Sequence, residues 1–105
     1  MKTERSEDVA TYLTLWKWTE QGAKNAEATP DRAQAFKTEA GRHGVKVVEF
    51  MWTQGQWDGF LLSEAPDEQT MMALLLDLIG AGNVTTQTCR AFSEKEMREI
   101  IQKAR

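Results

Sequence analysis

The chain has 105 residues, of which 41% are hydrophobic and 28% charged, and its formal net charge at pH 7 is -3. This length suits one domain with a two-layer core, and the composition is that of a folded globular protein. Lysine and arginine residues are scattered among acidic ones rather than clustered. That distribution argues against nucleic acid as a partner.

The sequence also argues against membrane spans and excludes an internal disulfide bond, although Cys89 could still pair with a second copy of the chain. The longest apolar run, residues 71–76, is too short to cross a bilayer, and residues 1–8 are charged with no apolar signal segment behind them. Cys89 is the one cysteine of the sequence, so an internal disulfide cannot form. These features predict a cytoplasmic protein in a reducing compartment, with no membrane partner.

The first half of the chain is predicted to contain one strand and one helix. Residues 1–8 are expected to be a disordered polar N-terminus, and residues 9–105 a single domain. A strand is predicted at 9–18, with alternation that separates Thr11, Leu13 and Leu15 from Tyr12, Thr14, Trp16 and Trp18. After a polar connection at 19–28, Thr29 can cap a helix that has Pro30 in its first turn and stops at Gly44.

A hairpin, two helices and a last strand are predicted in the second half. Strands at 45–52 and 57–64 flank a glycine-containing turn at 53–56. A mostly apolar helix begins at Asp67 and ends at the glycines of 80–83. A strand follows at 84–92, with Thr85, Gln87, Cys89 and Ala91 on one face, and the capping-box sequence at 93–96 opens a short final helix.

This order of elements predicts an α+β fold. Two split βαβ units give a ferredoxin-like βαββαβ sandwich, in which two helices cover one face of a four-stranded antiparallel sheet, with an extra C-terminal helix. The second face of such a sheet should be polar in a monomer, yet strands one to three carry apolar residues on both faces. The predicted second strand, for example, sets Val48, Phe50 and Trp52 opposite Val45, Val47 and Met51.

An uncovered apolar sheet face has to be buried, either by the C-terminal helix or by a second copy of the chain. The last helix is short and its apolar stripe is narrow, so we favour the second copy. Two sheets packed face to face would form a dimeric α/β barrel with a cavity between the subunits.

The central hairpin, residues 45–59, resembles the GYD-domain family, whose name comes from a Gly-Tyr-Asp signature in this hairpin. Further similar segments lie at residues 11–15, 18–22, 65–67, 74–76, 82–88 and 90–93. The resemblance implies a ferredoxin-like, oligomeric α+β domain and names no reaction. The chain departs from the family name at Trp57, where tyrosine would be expected. An indole N–H can donate a hydrogen bond but cannot exchange a proton near neutral pH, so a shared role for this position is aromatic bulk.

Asp58 is the carboxylate with most potential for catalysis. Strand alternation would place it on the face of Phe60 and Leu62, where an apolar cavity could raise its pKa as a general base requires. The simpler interpretation, which we favour, is that Asp58 accepts backbone N–H bonds and fixes the hairpin turn.

The aromatic residues of strands one to three are the candidate ligand-binding residues. Core packing explains them most simply, but they could also line a pocket for a flat or apolar ligand, with polar groups converging on it. The predicted binding set is Tyr12, Trp16, Trp52, Trp57, Gln87 and Arg90.

Metal and cofactor sites are not expected. His43 is the one histidine and lies before Gly44 at a helix end, where a solvated cap is the simplest role, and with Cys89 it cannot complete a usual metal-ligand set. Two functions remain open. The first is an oligomeric domain that binds or senses a small ligand in an aromatic-lined interfacial cavity, and the alternative is a cofactor-independent enzyme that uses Asp58 as general acid or base.

Overall fold

The structure is a computed structural model that describes residues 9–105; the predicted disordered N-terminus at 1–8 lies outside the described residues. Its strands are β1 (Ala10–Trp18), β2 (Lys46–Trp52), β3 (Gly59–Ala65) and β4 (Val84–Ala91). Its α-helices are α1 (Glu20–Lys24), α2 (Thr29–Arg42), α3 (Glu68–Gly80) and α4 (Glu94–Lys103), and a 3-10 helix (Ala26–Ala28) lies between α1 and α2.

The strands of the described chain form one open antiparallel sheet in the order β2-β3-β1-β4. The two central strands, β3 and β1, are therefore not consecutive in sequence, which is the arrangement that two interlocked βαβ units produce. The α+β class and the antiparallel sheet predicted from the sequence are confirmed. The order of the strands is consistent with a ferredoxin-like sandwich.

The core lies between one face of the sheet and helices α2 and α3. Its strand residues alternate as a half-covered sheet requires, with one side chain in two directed at the helices. The buried apolar residues of this layer are Tyr12, Trp16, Ala33, Phe36, Ala40, Val45, Leu61, Ala65, Met71, Leu74, Leu75 and Val84. We call the opposite side of the sheet the open face.

The segment predicted as a polar connection, residues 19–28, is helical instead. Thr19 caps α1 by accepting a hydrogen bond from the Gly22 N–H, while its hydroxyl donates to the Gly82 carbonyl oxygen at 2.6 Å. Gly22 packs so closely on the backbone of Asn83 that a Cβ atom would lie 2.0 Å from the Asn83 carbonyl oxygen. A short polar helix of this kind has no apolar stripe, so contacts distant in sequence determine it.

The helix starts were predicted correctly in two cases of three. Asp67 caps α3 through the Thr70 N–H, and Ser93 and Glu96 form the predicted capping box of α4. The predicted cap at Thr29 is wrong. Thr29 is the first residue of α2, and its hydroxyl accepts a hydrogen bond from the Trp52 indole N–H at 3.1 Å instead.

The predicted alternation of β2 is confirmed for Phe50 and Trp52 opposite Met51, but it is wrong before them, because the pairing of β2 with β3 shifts register between Val47 and Glu49. Val48 is the extra residue of this bulge. A bulge reverses which residues share a face, so Val47 lies on the same face as Phe50 rather than opposite to it. Sequence periodicity alone cannot show an inserted residue.

The open face carries an apolar patch that no described residue covers. Register places Met51, Phe60 and Leu15 in one row across three strands, and Leu62 and Leu13 in the next row. The shortest Cα extent of the described chain, 19 Å, corresponds to only two layers. Helix α4 does not close the face: within residues 9–105 none of its side chains is buried, and Met97 and Ile101 are 47% and 43% exposed.

Within the described part of the chain, no helix has both the length and the apolar character needed to span a membrane. The cytoplasmic location inferred from the sequence stays a prediction.

We predict that Gly59→Ala lowers the free energy of unfolding by about 1–3 kcal/mol or more, the usual cost of overpacking. A Cβ atom at Gly59 would lie 2.1 Å from Cζ2 of Trp16, whose ring is buried, and 2.4 Å from the Met51 carbonyl oxygen, which belongs to the backbone of β2. Urea denaturation measures the effect. Gly41→Ala in α2, where no described atom lies within 4 Å of the new Cβ, is the control and should be neutral or stabilising. Equal stability of the two variants would contradict the prediction.

Candidate functional site

A connected cluster of aromatic rings lies between the sheet and α2. Trp16 is at its centre, with ring centroids 5.8 Å from Trp18, 5.9 Å from Phe50 and 6.4 Å from Trp52. Phe50 in turn lies 6.3 Å from Phe36 of α2 and 5.2 Å from Trp52. These tilted and edge-on arrangements are those that aromatic pairs prefer. The cluster therefore forms a rigid aromatic wall.

Beside this wall is a cavity of about 400 Å³, which we call the aromatic pocket. It lies between the sheet, helices α2 and α3, and the loop that joins α3 to β4. Its apolar lining includes Trp16, Trp18, Ala33, Ala35, Phe36, Phe50, Leu61, Leu78 and Val84. A concave, mostly apolar cavity of this size with a few polar groups is the usual form of a small-molecule site.

Three hydrogen-bond donors of the pocket-lining residues have no acceptor within residues 9–105. They are the indole N–H groups of Trp16 and Trp18 and the Nη2 of Arg32, and all three nitrogen atoms are buried. The other terminal nitrogen of Arg32, Nη1, donates to the Asn25 carbonyl oxygen at 2.7 Å. Buried donors without partners are rare in folded proteins and need an explanation.

The far end of the pocket is acidic. Glu39 and Asp77 line it, and Nε2 of His43 lies 3.3 Å from a Glu39 oxygen and 3.4 Å from an Asp77 oxygen. Arg42 lies 3.5 Å from the second Glu39 oxygen. His43 ends α2 as predicted, and it also links α2 to α3.

One nitrogen and two carboxylates could hold a divalent cation, since their ligand atoms lie within 4.8 Å of one another in this cluster of Glu39, His43 and Asp77. The same geometry is explained by ion pairs between the two helices, with no metal. The expectation that the chain has no metal site stays a prediction.

Asp58 joins the hairpin to the end of β1. Its backbone N–H donates to the Trp16 carbonyl oxygen at 2.8 Å, its carbonyl oxygen accepts from the Thr53 N–H at 2.9 Å, and its carboxylate accepts from the Trp18 N–H at 2.9 Å. Asp58 precedes β3 and is not among the residues that line the aromatic pocket. These contacts match the turn-fixing interpretation of this residue.

The sheet divides the six predicted ligand-binding residues. Tyr12, Trp16 and Trp52 belong to the helix-covered side, and of the six only Trp16 lines the aromatic pocket. Gln87 of β4 is paired with Leu15 of β1, so it lies on the open face, and it is exposed. Trp57 lies in the hairpin loop with the Lys17 ammonium 5.7 Å from its ring centroid.

Arg90 contacts a separate group of side chains at the end of β4. Its guanidinium lies over the rings of Tyr12 and Phe92, and its Nη2 is 3.7 Å from a Glu96 oxygen of α4. The hydrogen bond from the Ser93 N–H lowers the pKa of Glu96, with Arg90 contributing, whereas burial raises the pKa of Tyr12. The contacts of Arg90 and Ser93 with Glu96 therefore fix the start of α4.

Sequence reasoning missed Arg32, Phe36 and Phe50 as pocket residues. Phe36 belongs to the apolar stripe of its helix and Phe50 to a strand, so each is explained by core packing. Arg32 gives no signal in the sequence, because its importance depends on the fold bringing α2 over β1.

The fold and the pocket define a class: a small α+β domain with an open antiparallel sheet, helices on one face, and an aromatic pocket between the layers. A family model, the GYD domain, matches residues 12–101 of the chain. The chain therefore belongs to the GYD-domain family, as the hairpin indicated. No curated protein and no solved structure matches it.

We expect Asp58→Ala to lower the free energy of unfolding by about 1–3 kcal/mol, because the Trp18 N–H loses its acceptor. Asp58→Asn keeps an acceptor oxygen and should lose less. Urea denaturation compares both with Glu27→Ala, which removes an exposed carboxylate from the 3-10 helix. If Asp58→Ala were as stable as Glu27→Ala, the turn-fixing role would be refuted.

Proposed function

We propose that this protein is a non-enzymatic binding or sensing domain that takes a small, flat, mostly apolar ligand into the aromatic pocket. The observation that carries the proposal is the pocket itself: about 400 Å³ of space beside a wall of tryptophan and phenylalanine rings. The pocket opens to solvent beside exposed Ala35 and Ala81, and a ligand that enters it would remove apolar surface from water. The proposed site therefore lies inside each chain rather than between subunits.

The alternative enzyme has less support. The Asp58 carboxylate accepts a hydrogen bond from the Trp18 backbone, and its residue does not line the pocket. A general base must reach the proton that it abstracts. No contact among the described residues gives Asp58 that access, so we do not propose catalysis.

We predict that 2-naphthamide, a neutral flat probe, binds the pocket and is excluded by Ala35→Phe. Ala35 lines the pocket yet its side chain is exposed, so a larger side chain can fill the space without disrupting the core. Saturation-transfer NMR and the indole ¹⁵N–¹H signals of the tryptophans measure binding. Ala73→Phe, at an exposed alanine of α3 that does not line the pocket, should bind the probe like the parent chain. Lack of binding to the parent chain, or equal loss in both variants, would contradict the site.

We also propose that the chain forms a homodimer through its open face, which is the assembly of a dimeric α/β barrel. The support is the apolar patch of Leu13, Leu15, Met51, Phe60 and Leu62, together with the exposed stripe of α4. Four strands of seven to nine residues present a face of about 19 by 25 Å. With one side of α4 added, each chain would bury on the order of 800 Å², which is the usual requirement for a stable pair.

Native mass spectrometry tests the dimer. We expect a species of twice the 11.9 kDa chain mass at micromolar concentration, and a monomer for Leu13→Glu, because the new carboxylate would be buried between the sheets. Met72→Glu is the control and should remain dimeric, since Met72 is 52% exposed on α3, on the opposite layer. A monomeric parent chain, or a dimeric Leu13→Glu, would refute this assembly.

A further inference from the structure

We propose that Glu39, His43 and Asp77 form a binding site for a divalent transition-metal ion of the zinc class. One possible ligand atom of each side chain lies within 4.8 Å of those of the other two. The site goes beyond the proposed function, since it does not depend on a ligand in the aromatic pocket. Sequence reasoning did not predict it, because Asp77 lies on a different helix, far along the chain from His43.

The ends of two helices bring the three side chains together. Glu39 lies in the last turn of α2, and His43 is the C-cap of the same helix four residues later, so the two side chains share one helix face. Asp77 lies in the last turn of α3. The side chains are 40%, 31% and 57% exposed in chain order, so an ion can reach them from solution.

The distances within this cluster match tetrahedral coordination. Nε2 of His43 lies 3.3 Å from a Glu39 oxygen and 3.4 Å from an Asp77 oxygen. Two ligands of a tetrahedral zinc ion, with bonds of about 2.0–2.1 Å, are about 3.3–3.4 Å apart. Both separations exceed the range of about 2.7–3.2 Å that is usual for an N–H···O hydrogen bond. Nε2 carries at most one hydrogen, so it cannot donate to both carboxylates, whereas one ion can bind all three groups.

The electrostatic surroundings of the cluster favour a cation. The C-terminal end of a helix is the negative end of its dipole, and two carboxylates are added at such ends here. Arg42 offsets part of this charge, but it contacts the other Glu39 oxygen, at 3.5 Å, and not the one that faces His43. Within residues 9–105 the last turn of α3 has no basic residue, and the ion-pair partner of Asp77 is His43.

The donor set selects the class of metal. Magnesium and calcium prefer sites made of oxygen atoms, whereas an imidazole nitrogen beside carboxylates suits zinc and similar transition metals. Three protein ligands leave the fourth position of a tetrahedral ion open, and water normally occupies it.

The test is isothermal titration calorimetry of the chelator-treated chain with zinc chloride. We expect one ion to bind per chain. His43→Gln and Asp77→Asn should each weaken zinc binding by more than about tenfold, a loss that is usual even for residues that only support a ligand. Two controls should bind zinc like the parent chain: Asp31→Asn, an exposed carboxylate of the first turn of α2, and Cys89→Ser, on the open face. Unchanged affinity in both site variants, or loss of binding in Cys89→Ser, would overturn the site.

Thermal unfolding separates a metal site from ion pairs alone. Zinc should raise the Tm of the parent chain and of Asp31→Asn, because an ion that binds the folded state stabilises it, and should not raise the Tm of His43→Gln. Excess magnesium should not displace zinc, and displacement would overturn the zinc class. If only ion pairs were present, His43→Gln would be destabilised equally with and without zinc. That result, or failure of zinc to bind the parent chain, would refute this inference and leave the aromatic pocket unaffected.

Discussion

The contact between the Trp16 ring and the Gly59 backbone is the constraint on which the other features depend. Trp16 is in the central strand β1, and Gly59 is opposite it at the start of β3. The ring occupies the space where any other residue at 59 would place its Cβ. Since Trp16 contacts Trp18, Phe50 and Trp52, this one close approach positions the whole aromatic wall. The neighbouring Asp58 then ties the hairpin to the end of β1. One short segment of loop and strand thus sets both the sheet and the pocket.

The uncovered regions of the chain follow a common pattern. Helices α2 and α3 bury one face of the sheet, whereas the apolar residues of the open face are half-buried or exposed, and those in the stripe of α4 are not buried. The start of α4 is nonetheless well defined, since Ser93 and Glu96 cap each other and Glu96 also contacts Arg90. Helix α4 is therefore fixed at its first turn, although none of its described side chains is buried. In the proposed dimer a second copy of the chain would offer a surface for them, because two-fold symmetry would pair the apolar open face with itself.

The sequence predicted the elements that local chemistry controls. The capping box of α4, the start of α3 at Asp67 and the alternation of β4 depend on neighbouring residues, and all are confirmed. The prediction failed where distant contacts decide. The bulge at Val48 depends on the pairing with β3, and Thr29 bonds to Trp52 rather than capping its own helix. The candidate site shows the same limit. Trp16 is identifiable as an aromatic strand residue, but the role of Arg32 depends on the packing of α2 over the sheet.

The unpartnered donors bear on the choice between a structural and a binding role for the tryptophans. If the aromatic wall served packing alone, phenylalanine could fill the same space. Phenylalanine has no polar group, whereas each buried indole N–H of a tryptophan without an acceptor costs about 1–3 kcal/mol in lost solvation. Trp52 shows the alternative, because its N–H has an acceptor in Thr29. Within the described residues the indole N–H groups of Trp16 and Trp18 have no acceptor, and neither has Nη2 of Arg32. Three such groups are costly for the core, and packing alone does not explain why they are kept.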